Sequence, residues 1–146
     1  MSGSPFFLYF LLAALAAGVA LYLVTRSSAP LRRPAVAAAI LLPALFLGLF
    51  ATLAVHMHRA LGGWPETIGS DGFPSALALH DDLASLAFAA LIFGGMLVWP
   101  LAVLLCAVVP RMRPGLRYLG IYAVACGVAI AAMQLAPGDF LNWWWD

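Results

Sequence analysis

Four apolar runs set the limits on this chain. They cover about 6–24, 35–56, 83–109 and 118–135. Each is roughly 18 to 27 residues long, and about 20 residues of helix cross the hydrocarbon of a bilayer. Arg26, Ser27, Ser28 and Pro30 end the first run, and Arg32-Arg33-Pro34 introduce the second. Pro43 and Pro100 lie inside the second and third, where each predicts a kink. The fourth closes at Pro137-Gly138. Only 9% of the residues are charged and 65% are hydrophobic. A soluble domain carries about 25% charged residues. So few charges do not cover a water-facing surface, and lipid is the solvent that fits. The leader before Phe6 has no basic residue, so the first run reads as a retained helix rather than a signal peptide.

Charge placement sets the expected orientation. The chain has no lysine, and its seven basic residues are all arginine. That usage, with abundant Ala and Leu, reads as a GC-rich bacterial gene. Arg26, Arg32 and Arg33 lie between the first two runs, and Arg111, Arg113 and Arg117 between the last two. Arg59 is alone among the acids Glu66, Asp71, Asp81 and Asp82, and Asp139 and Asp146 follow the fourth run. By the positive-inside rule the two Arg turns are cytoplasmic. The expectation is an all-α integral membrane protein of the bacterial inner membrane. One domain, 1–146, holds four transmembrane helices in an up-down bundle, with both termini on the non-cytoplasmic side. The net charge of +1 suggests no nucleic-acid partner.

Aromatic residues gather on the expected outer side. Trp143, Trp144 and Trp145 follow the fourth run, and Trp64 and Phe73 lie in the outer connection, about 58–79. They read as an anchor at headgroup level or as a surface for a partner. The connection, with its own apolar anchors, is expected to be ordered. Small residues recur on the helices: Gly94-Gly95 in the third, and Gly120, Ala123, Gly127 and Ala131 in the fourth. Small residues let helix backbones approach closely in lipid. Cys106 and Cys126 lie in apolar runs and read as packed thiols.

A few polar residues are out of place in an apolar chain. Thr52, His56 and Arg59 follow i, i+4, i+7 spacing, so they share one stripe of the second helix. Asp81, Asp82 and Ser85 begin the third run, and Gln134 ends the fourth. These seven residues are the candidate polar cluster. Ionisable groups at the hydrocarbon edge are costly and mark function by default. Against that, acids at a helix start serve the macrodipole, and His56 and Arg59 reach the interface by snorkelling. His56 and His80 are the candidate cofactor-binding pair. Haem, quinone or pigment would suit them, though no binding motif supports any of the three. No catalytic motif and no metal-ligand spacing is present.

Three functional readings follow. The first is an accessory subunit of a larger respiratory or photosynthetic membrane complex, packed against lipid and other membrane subunits, without catalytic activity of its own. The second is a stand-alone redox, quinone- or haem-binding protein. The third is a small channel or transporter with the polar cluster lining its path.

Overall fold

The computed structural model describes residue 22, residues 30–65, 69–70 and 72–146. Apart from Tyr22, the first apolar run lies outside the described residues, as do Glu66, Thr67, Ile68 and Asp71. The described residues are helical, with turns and no strand. Helix α1 is Arg33–Leu61 and α2 is Ser75–Phe93. A π-helical turn, Gly94–Val98, joins α2 to α3, Trp99–Val108. A 3-10 turn, Pro110–Gly115, leads to α4, Leu116–Met133, and α5 is Gly138–Trp145. Three segments are long and apolar enough to cross a membrane: Arg33–Leu61, Ser75–Val108 and Pro110–Met133.

The helix bounds have local causes. Helix α1 is unbroken at Pro43, and Pro43 is buried. It stops at Gly62, whose φ of 71° is the left-handed conformation that ends a helix cheaply only at glycine. That is five residues beyond the expected end at His56. The third apolar run starts near Leu83, and its helix α2 begins earlier, at Ser75, as Ser75 following Pro74 allows: the Pro74 carbonyl accepts from the Leu77 and Ala78 N–H groups. Asp81 and Asp82 therefore lie in its second turn, and its first turn holds no acid. The expected dipole role of those two acids at a helix start does not arise. Pro100 has no N–H for the Met96 carbonyl, and its ring crowds that carbonyl. The π turn ends just before it, with the Trp99 N–H reaching back five residues to Gly94. Helix α4 tightens at its end, where Gln134, Leu135 and Ala136 donate to carbonyls three residues back. Pro137 then separates it from α5.

The contacts divide the chain into two compact units, Met1–Leu41 with Phe93–Gly127, and Leu42–Ile92 with Val128–Asp146. In the first, the Trp99 indole donates to the Leu119 carbonyl at 2.8 Å. The Arg32 N–H donates to the Tyr118 hydroxyl at 3.1 Å. A Cβ on Gly94 would stand 3.2 Å from the Tyr122 hydroxyl oxygen, so the small residue allows that close approach. Cys106 is buried, Cys126 is half-buried, and both are free thiols. Arg32, Arg33, Arg111, Arg113 and Arg117 all belong to this unit.

The second unit is packed by aromatic rings. Phe46, Phe50, Leu53, Met57, Leu77 and Phe140 are buried. Phe50 meets Phe140 at 5.1 Å and the Trp144 ring edge-on at 5.2 Å between centroids. Phe88 touches Phe46, Trp144 and Trp145. Helix α5 thus folds its apolar face, Phe140, Trp143 and Trp144, onto the chain's own core. The sequence treats this segment as a tail; its i, i+3, i+4 spacing and Asp139 in the first turn are helix signals. Phe140→Ala is expected to cost about 3 kcal/mol, the scale of an emptied aromatic site. Leu41→Ala, at a residue 66% exposed, is expected to cost no more than about 0.5 kcal/mol. Reversible unfolding in detergent measures both, and equal losses would contradict this packing.

Candidate functional site

Within the second unit, α1 and α2 bring three polar side chains together. Thr52 and His56 are one turn apart on α1, and His80 is in the second turn of α2. The Thr52 Oγ1 lies 3.2 Å from His80 Nε2. His80 Nδ1 lies 3.0 Å from His56 Nδ1. The two imidazole centroids are 5.3 Å apart and the rings are tilted by 39°. Both histidines are half-buried and Thr52 is exposed.

The direction of each hydrogen bond follows from Thr52. Its hydroxyl donates to the Gly48 carbonyl at 2.7 Å, with the Leu49 carbonyl at 3.1 Å. A hydroxyl has one proton, so toward His80 it accepts. His80 therefore carries its proton on Nε2, which leaves Nδ1 bare in the neutral ring. With His80 neutral, His56 Nδ1 carries a proton and donates to it. Neutral His56 in that form has a bare Nε2. The chain of donors runs from His56 to His80 to Thr52 to the Gly48 carbonyl. A single backbone-directed threonine thus sets the tautomer of two histidines. This second link is what a lone histidine lacks.

This pairing separates the sequence candidates. Thr52 and His56 come together with His80, which the sequence places in the cofactor pair. Asp81 is half-buried beside His80, while Arg59, Asp82, Ser85 and Gln134 are exposed. Arg59 falls in the last turn of α1, where a cation complements the helix dipole. Among the described residues it has no carboxylate within ion-pair distance. His58 stands apart from the pair and stacks on Trp64 at 4.8 Å.

The aromatic candidates form a second array. Trp64 packs on Phe140, and Phe73 on Trp143. The Trp143 indole donates to the Gly69 carbonyl at 3.2 Å, which ties the connection to α5. Much of this aromatic surface is therefore used within the chain. Trp145 keeps the most, at 55% exposed. No protein family, curated protein or solved structure matches this chain.

Interhelical hydrogen bonds in membrane proteins are worth about 0.6 kcal/mol on average in double-mutant cycles. A cycle of Thr52→Val against His80→Phe is expected to give a coupling of that size and stabilising sign, read by unfolding in detergent. Additive losses would deny the Thr52–His80 bond.

Proposed function

We propose that the chain is an accessory subunit of a larger bacterial membrane complex, of the respiratory or photosynthetic kind. One observation carries this reading. The apolar segment Ser75–Val108 is only 11% buried within the chain along its most apolar stretch, half the 22% of the other two segments. Leu86, Phe93, Leu97, Leu101, Leu104 and Val108 are all more than half exposed. Partner helices would use such a surface for close packing. The small residues Gly127 and Ala131 are exposed on α4, and no atom would meet a Cβ on Gly127. Such positions admit a second backbone where lipid gives no hydrophobic drive for association.

In this reading the first apolar run is the fourth span and the arginine-bearing turns are cytoplasmic. The histidine pair then lies toward the periplasmic side, at a boundary the subunit shares with its partners. The subunit shapes that boundary and carries no catalysis of its own. Extraction of the tagged chain from its native membrane in mild detergent, followed by native mass spectrometry, tests it. Stoichiometric co-purification of other membrane subunits is expected. A clean monomer or homo-oligomer at native expression level would contradict it.

A further inference from the structure

We propose that His56 Nε2 is the docking point for a lipid-soluble hydroxyl donor of the quinol class, with His80 and Thr52 as positioning residues. The inference goes beyond the subunit reading and stands whether or not partners surround the chain. It starts from the polarity of the hydrogen-bond chain. Every other atom in the array has a partner: Thr52 donates to Gly48, His80 donates to Thr52, and His56 donates to His80. The one atom of the array left without a partner is His56 Nε2, to which no described residue donates. Only a donor completes it.

Depth selects an apolar carrier for that donor. Helix α1 has 29 residues, hence a length of about 43 Å at 1.5 Å per residue. The hydrocarbon core is about 30 Å thick, so a centred helix extends roughly 7 Å beyond it at each end. His56 precedes the last residue of α1 by five positions, about 7.5 Å along the axis. It therefore sits at the hydrocarbon edge, with Thr52 one turn deeper. The flanking surface is aliphatic. Leu45, two turns before Thr52 on the same stripe, is 52% exposed, and Leu83, one turn after His80, is 46% exposed. A ring head group with a long apolar tail matches a polar acceptor bordered by leucines.

Charge and hydrogen-bond chemistry narrow the class. In its neutral form the triad has no net charge, so it calls for a donor rather than an anion. Ester and phosphodiester oxygens only accept, and so does a quinone carbonyl. Each would face the bare Nε2 lone pair without a proton between them. A quinol hydroxyl supplies that proton while keeping it on oxygen. The site therefore favours the reduced head group over the oxidised one, because a site built around one hydrogen bond rejects the analogue that lacks it. His80 and Thr52 act through His56: they hold its proton on Nδ1 and so keep Nε2 bare.

The test uses the full chain with ring-15N-labelled histidine, in nanodiscs of phosphatidylcholine, a lipid whose head group has no N–H or O–H donor. Decylubiquinol and decylubiquinone are titrated separately. The quinol is expected to shift the His56 Nε2 resonance and leave His58 unmoved. It should bind at least about tenfold more tightly than the quinone, the value of one hydrogen bond. His56→Phe should remove that preference. Thr52→Val should weaken quinol binding several-fold and leave quinone binding unchanged. Equal binding of the two probes, or quinol binding by His56→Phe as tight as by the native chain, would overturn the proposal. So would a His56 shift produced by phosphatidylethanolamine or phosphatidylglycerol and not by the quinol, which would make a phospholipid head group the occupant. If His56→Phe fails to fold, the native-chain titration and Thr52→Val still decide the matter.

Discussion

Lipid offers no partner to a stranded N–H or O–H, and three segments long and apolar enough to cross a membrane are built to meet that constraint. The backbone meets it by forming helices wherever the chain is apolar. The side chains meet it pairwise. Thr52 satisfies its hydroxyl on its own helix, at Gly48. That local bond would be unremarkable in a soluble helix. Here it leaves one acceptor for His80, and the rest of the array follows from it. The polarity of the array is thus decided at Thr52, one turn away from His56.

The same constraint explains how the helices end and bend. Each departure from a regular helix sits where a proline or glycine changes the backbone accounting. The π turn before Pro100 brings the Trp99 N–H to Gly94. The left-handed Gly62 stops α1. The Pro137 break lets α5 turn its rings onto Phe50 and Phe88. The tryptophan-rich segment, which as a sequence resembles an anchor or docking tail, spends Phe140 and Trp144 on internal packing. Its remaining exposure is mainly at Trp145.

Much of this was legible from residues alone, within definite limits. Hydropathy placed three segments that the structure shows as long apolar helices; the expected break near Pro100 coincides with the π turn, whereas α1 runs unbroken through Pro43. The i, i+4 spacing put Thr52 and His56 on one stripe. Spacing on one helix does not say which residue of another helix faces it, so the Thr52–His80 contact was out of reach. It depends on α2 starting at Ser75, which Pro74 determines and which puts His80 within the helix. Arg59 shares a stripe with Thr52 by spacing, and Asp82, Ser85 and Gln134 were grouped with it by depth. Neither spacing nor depth fixes contacts between helices, and these four side chains, like Thr52, are exposed.

The claim that bears the most weight is the direction of the hydrogen-bond chain. Ring-15N spectra of the native, ligand-free chain, with resonances assigned by single histidine substitution, measure it directly. Among neutral histidines, His80 is expected with its proton on Nε2 and His56 with its proton on Nδ1. His56 protonated on Nε2, or His80 protonated on Nδ1, would contradict the polarity set by Thr52.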